Sequence, residues 1–482
     1  MIKRENIIWW LILTFAVVYG FWSVTKHNQF RTDAIDLAIF DQPLWHYSRL
    51  EVPLSTVKYN QSPGEHILGD HFHPLLALLS PLYWLWDDVR ILLIAQAIFA
   101  AVSVWPIYQI AQLKLGRRSF SLAVSFAYLT FIGLQTALDY DFHETVIALL
   151  PFSLAIYFLL RGRIWAYFLS LAAAMLLKED MPLFVATLGL FSAIELREIR
   201  LGVVTFFLGI SSYLLITQVA IPIFKHDRFA YEELDPRLGK TTLDLIRTTW
   251  TNPLLVAETL FLPVLKTKTI LNLLASFSFL PLLSPTALLM ALPNLASRFL
   301  TRLSQRWLIR FQYNAILTPV MALAVIFGLS KIKRVKFLER RFNLLLNLAS
   351  ILLIMAPIVQ TIRTNSPLLR ILSSSSYKFD ERFFINYHLL ARIPKDANVS
   401  VMAQSSFVPH LSHRYKIYRF EDGLVDKSHP EYILMSADEA SDPPYVRHDL
   451  EDKIDTLKRN PSYEVLFWDG IRLLMRLKGG RT

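Results

Sequence analysis

Apolar runs recur from Ile7 to Val359, broken by short polar loops, and this pattern constrains the chain more than any other feature. Lipid offers the backbone no hydrogen-bond partner, so a segment that crosses it must be a helix or part of a closed barrel. Runs approaching the roughly 20 residues that span a bilayer core predict helices. The expected spans are Ile7–Val24, Val89–Leu113, Phe120–Ala137, Thr145–Leu160, Ile164–Leu177, Met181–Ile194, Leu201–Phe224, Pro253–Leu265, a segment starting near Thr269, Tyr313–Leu329 and Phe342–Val359. The segment from Thr269 contains Pro281 and Pro285, which predicts a kink or a broken end lining a cavity. The expected fold class is an all-α polytopic membrane protein of about eleven transmembrane helices. Composition agrees, with 54% hydrophobic and 18% charged residues against about a quarter charged in soluble domains.

Basic residues orient the bundle, because cytoplasmic loops collect Lys and Arg. Lys3 and Arg4 precede the first run and no small-residue cleavage site follows it. A retained signal anchor with a cytoplasmic N-terminus is therefore expected. The loops with Lys114, Arg117 and Arg118, with Arg161 and Arg163, with Arg197 and Arg200, with Lys266 and Lys268, and with Lys331 to Arg341 then all face the cytoplasm. This parity requires Pro74–Trp86 to lie on the outer face as a juxtamembrane helix, so residues 25–88 become a long first extracytoplasmic loop. The expected location is the plasma (inner) membrane. The net charge of +11 falls in these short clusters, which excludes nucleic acid as a partner. The absence of cysteine excludes disulfides and thiolate metal sites.

Beyond about residue 360 the composition turns polar and Ser-rich. Short apolar runs at Val399–Met402, Tyr415–Tyr418, Tyr432–Met435, Val465–Trp468 and Ile471–Leu477 are separated by turn formers such as Asp469-Gly470. They predict a small extracytoplasmic α/β domain over 361–482, following a transmembrane domain over 1–360.

Ionisable residues gather on the expected outer side. Asp33 and Asp36, with Asp41 beyond them, stand in the first outer loop, where an i, i+3 pair can share a helical face. A carboxylate just outside the membrane can act as general base on a hydroxyl, or it can cap a helix. Glu65-His66 and Asp70-His71-Phe72-His73 close the loop. His71 and His73 can ligate a cation, and Asp70 with Pro74 can equally start a helix. Asp139, Asp141, His143 and Glu144 crowd one helix–helix turn, a costly concentration beside lipid. Asp139, Asp141 and His143 are candidate ligands for a divalent cation, or contacts for an acceptor. Lys178, Glu179 and Asp180 form another outer turn, where Lys178 either pairs with its neighbours or faces a phosphate. Arg298, Arg302, Arg306 and Arg310 recur every four residues, which predicts one helix face suited to a lipid-linked phosphate or to headgroups.

Together Asp36-Leu-Ala-Ile-Phe-Asp41-Gln42, His71-Phe-His73-Pro74, Asp141-Phe-His143, Lys178-Glu179-Asp180, Leu292-Pro293 and Pro409-His410-Leu-Ser-His413-Arg414 resemble an uncharacterised family of polytopic membrane proteins, a domain of unknown function. That family resembles the GT-C glycosyltransferases, such as protein mannosyltransferases and aminoarabinose transferases. The resemblance implies a polyprenyl-phosphate sugar donor, juxtamembrane helices and a catalytic carboxylate in the first outer loop. Asp36 is the matching position. The paired Asp-Glu of protein mannosyltransferases is absent, and Asp33 and Asp36 stand there instead. The function expected is sugar transfer to a glycan, lipid or protein acceptor at the extracytoplasmic face, with Lys178, Arg298, Arg302 and Arg306 on the donor phosphate. Glu179, Asp180, His71 and His73 would join the acceptor or cation site. The competing functions are transport or flipping of an anionic lipid or glycan, and a non-catalytic assembly role.

Overall fold

The computed structural model describes residues 6–225, 234–439 and 447–479. Lys3 and Arg4, on which the sidedness of the N-terminus rested, lie outside the described residues. Among the described residues, six helices are long and apolar enough to cross a membrane: Ile7–Asn28, Arg90–Leu115, Arg118–Asp139, Ile199–Lys225, Gln312–Ile332 and Glu339–Thr364. Glu144–Leu160, Ile164–Met175 and Met181–Glu195 are apolar but shorter. Among the described residues the expected count of about eleven spans is therefore supported only in part.

The expected helix Pro253–Leu265 is two pieces, Pro253–Phe261 and Val264–Ala275, because Pro263 carries no amide hydrogen to continue the first. The segment after it breaks as expected, into the short turns Leu280–Leu283, Pro285–Leu288 and Leu289–Ala291. Helix pairing depends on small residues. A Cβ on Gly209 would sit 2.5 Å from the Ala186 backbone nitrogen, and one on Gly202 would sit 2.6 Å from the Gly189 carbonyl. These glycines let Ile199–Leu215 lie directly on Met181–Glu195, as close-packed membrane helices require.

Pro74–Trp84 is a 3₁₀ helix carrying exposed Leu78, Trp84 and, just beyond it, Leu85. The first loop also holds a short hairpin of β1 (Leu54–Ser55) and β2 (Glu65–His66). The C-terminal segment forms a mixed sheet of β3 (Val401–Ala403), β4 (Ile417–Arg419), β5 (Tyr432–Ser436), β6 (Tyr463–Trp468) and β7 (Arg472–Leu477). Its order is β4-β3-β5-β7-β6, with β3 parallel to both neighbours and the other pairings antiparallel. Strand alternation divides its residues between two cores. Met402, Ile433 and Met435 pack with Leu450 and Ile454 of the helix Arg447–Lys458. Val401, Ala403, Leu434 and Leu474 join the core that runs on through the membrane helices.

Candidate active site

Two turns build the site. The first follows Ile7–Asn28, where Asp33 caps the next element: its Oδ1 accepts from the Ile35 amide at 2.9 Å and from Ser405 Oγ at 2.8 Å. The backbone then takes one π-helical turn, Ala34–Ala38, before the helix Ile39–Ser48. Such turns are rare and concentrate at functional positions. This one carries Asp36.

The second turn joins Ile132–Asp139 to Glu144–Leu160. Gln96 clamps it from the helix Arg90–Val102, donating to the Asp141 carbonyl and accepting from the His143 amide, both at 2.6 Å. Asp141 has φ +60°, a left-handed conformation in which Asp is enriched. Its Oδ2 accepts from the Asp33 amide at 2.6 Å, tying the two turns together. Burial, reinforced by Asp36 and Asp33 and opposed by Lys26, pushes the Asp141 carboxyl up to about 8. With the turns so joined, His143 Nε2 lies 3.3 Å from Asp36 Oδ1.

Asp36 and His143 line a cavity of about 370 Å³ together with Lys58, Asp70, His71, Glu144, Lys178, Glu179, Asp180, Lys225, Arg298, Arg306 and Tyr313. Most of its charges are paired within it. Lys178 Nζ lies 2.6 Å from Glu144, His71 Nδ1 2.8 Å from Glu179, and Lys58 Nζ 3.0 Å from Asp70. Burial would lower the His71 imidazole, but Glu179 and Asp70 raise it to about 9. Burial also opposes ionisation of Glu179, yet His71 holds it low; Asp180, buried beside Glu179 and Glu144, is pushed up. Arg306 and Lys225 have no carboxylate partner among the described residues. Two cations of the wall are thus left without a carboxylate partner in the cavity that Asp36 lines.

Several expected sites are placed otherwise. The four arginines do not share a helix: Leu292–Phe299 ends before Arg302, and Arg306 sits on the separate turn Ser304–Trp307. Arg298 is only 2% exposed, and its guanidinium donates to the Arg306 and Leu308 carbonyls and to Asn294 and Asn314. It holds the loop that presents Arg306, while exposed Arg302 is not in the cavity wall. Lys178 pairs with Glu144, not with its chain neighbours as first choice.

Asp41 is fully buried outside the cavity wall, accepting from Tyr83 and Ser412 at 2.5 Å with His413 Nε2 at 3.1 Å. Asp139 accepts from Trp22 at 2.8 Å and Arg370 at 2.7 Å. Asp139 and Asp141 each lie 3.8 Å from Lys26 Nζ while His143 faces Asp36, and no group of three His, Asp or Glu fit for a metal occurs among the described residues. His73 is buried outside the cavity wall, apart from His71.

Lys58, Lys225, Gln96 and Ser405 escaped the sequence reading, and Asp70 was read there only as a helix start. Gln96, a lone amide inside an apolar run, carried a usable signal, since intramembrane polar residues mark function or buried networks. Lys225 did not, because chain order places it far from Asp36. The backbone of Lys225 passes so close to Gly69 that a Cβ there would meet it at 3.0 Å.

The bundle of membrane helices, the long first loop and the C-terminal sheet make up a fold that is also found among solved structures. The apo-state crystal structure of ArnT from Cupriavidus metallidurans matches with TM-score 0.52 at 12% identity, covering 98% of each chain. The Archaeoglobus fulgidus oligosaccharyltransferase in complex with Zn and sulfate gives TM-score 0.41 at 12% identity, over 88% of this chain and 68% of that one. No curated protein matches the sequence. The chain belongs to the family DUF2079, described as a predicted membrane protein, which matches residues 26–470.

Proposed function

We propose that the protein is a membrane glycosyltransferase that moves a sugar from a polyprenyl-phosphate donor to a hydroxyl acceptor at the extracytoplasmic face, with residues 361–482 as an outer domain. One observation carries this reading: Asp36, with an oxygen that has no partner among the described residues, shares a cavity with the unpaired cations Arg306 and Lys225. Asp36 takes the proton of the acceptor hydroxyl, whose oxygen bonds to the anomeric carbon. The anomeric carbon–oxygen bond breaks and polyprenyl phosphate leaves with the electron pair. Arg306 and Lys225 stabilise the departing anion, backed by the Lys178–Glu144 pair. Asp33 and Asp41 serve structure, and no step needs a cation at Asp139, Asp141 and His143.

The test is release of polyprenyl phosphate by full-length protein in lipid nanodiscs, from polyprenyl-phosphate hexoses and pentoses with extracted envelope lipids and glycans as acceptors. Asp36→Asn is expected to lower turnover by about 10²–10⁴-fold. Equal turnover would remove Asp36 as the base, and no release from any donor would sink the transferase reading.

A further inference from the structure

We propose that His143 is the positioning residue for Asp36, donating from Nε2 so that one carboxylate oxygen is fixed and the other is left for the acceptor hydroxyl. This rests on the transferase reading above. Four observations define the role. The imidazole is 4% exposed, and its Nε2 stands 3.3 Å from Asp36 Oδ1. Its Nδ1 is buried without a partner. The ring is held between two aromatic groups, stacked on Tyr140 at 5.9 Å and edge-on to Phe40 at 6.1 Å. Its backbone is pinned by Gln96.

The tautomer follows from the unpartnered nitrogen. A proton on Nδ1 would be a buried donor with nothing to accept it, which costs more than a bare lone pair. A ring that carries a single proton therefore holds it on Nε2, aimed at Asp36. Cation binding by this imidazole is disfavoured by the same geometry, since Nε2 is engaged and Nδ1 faces no second ligand. Asp36 stands on a single π-helical turn, and no other side chain among the described residues bonds its carboxylate. Without His143 the carboxylate is free to rotate, and a displacement of about 1 Å in a reacting group can cost 10²-fold in rate. The Asp33–Asp141 hydrogen bond and the Gln96 clamp then have a joint purpose: they set the distance between two side chains 107 positions apart in sequence.

The experiment compares wild type, His143→Phe and His143→Gln in nanodiscs, using the polyprenyl-phosphate donor that wild type turns over. Phe keeps the ring's bulk without a donor, and the Gln amide reaches about as far as Nε2. His143→Phe is expected to lower kcat about 10²-fold with the donor KM unchanged, and His143→Gln to recover most of it. Wild-type kcat in His143→Phe overturns the role, as does a Phe loss that Gln does not relieve. A wild type inactive on every donor overturns the transferase reading and this role with it. Nitrogen NMR of ¹⁵N-histidine-labelled protein adds a readout that needs no turnover. The resonance missing in His143→Gln is expected to show the Nε2–H tautomer and to shift in Asp36→Asn. An Nδ1–H tautomer, or no shift, overturns the proposal.

Discussion

Around the cavity, pairing decides which basic side chains remain free to hold an anion. Lys178 and Lys58 already face carboxylates, and Arg298 spends four of its five N–H donors on carbonyl and amide oxygens. Arg306 keeps its charge available, and a charge-assisted hydrogen bond contributes about 1.5–3 kcal/mol. Arg306→Ala is accordingly expected to raise the donor KM by about 10–100-fold, whereas Arg302→Ala leaves it unchanged, as donor titrations in nanodiscs will measure. The sequence pattern treated these two arginines as equals. Four-residue spacing implies a shared face only inside a continuous helix, and the helix ends at Phe299. Asp36 was singled out by its spacing from Asp33 and by the family resemblance; the burial of Asp41, five positions on, was not legible.

At the scale of elements, the hydrophobic runs located most helices to within a few residues, since lipid-facing segments must satisfy their own backbone. Turns between them obey no such rule. The turn at 139–144 depends on an amide from another helix, so Gln96→Leu strips partners from the Asp141 carbonyl and the His143 amide at once. Unsatisfied buried groups cost about 1–3 kcal/mol each. A lower thermal midpoint in detergent, together with reduced turnover, is the expected result. Gly209→Val tests a different contact. It inserts atoms where the Ala186 backbone lies 2.5 Å from a Cβ position, and overpacking costs about 1–3 kcal/mol. Its thermal midpoint should fall while the donor KM of the remaining folded protein stays unchanged.

Across the whole molecule, the C-terminal segment is tied to the long loop after the first helix. Gln42 donates to the Arg414 carbonyl and Thr56 to the Ile417 carbonyl, and Ser405 bonds Asp33 beside the candidate base. His413 bridges Asp41 at 3.1 Å and Asp87 at 3.0 Å, so both ring nitrogens donate. Burial would lower this imidazole, but Asp41 and Asp87 raise it from 6.5 to about 9. A raised pKa means stability that is fully present below 6.5 and lost as pH climbs through about 9. His71, raised likewise by Glu179, acts in the same direction. Limited proteolysis of the C-terminal segment in nanodiscs should therefore quicken between about pH 7 and pH 10. In His413→Asn it should be faster already at pH 7 and less dependent on pH.

By itself the sequence determined the membrane class, the helix positions, the strand runs near the C-terminus and the clustering of ionisable residues in the loops. These follow from local rules of burial and backbone satisfaction that a single segment must obey. Only the tertiary structure decided which clustered charges neutralise each other, that the C-terminal sheet shares a core with the membrane helices, and that Asp36 meets His143. Those outcomes depend on contacts between separate elements, 107 positions apart for Asp36 and His143, whose geometry no local pattern encodes.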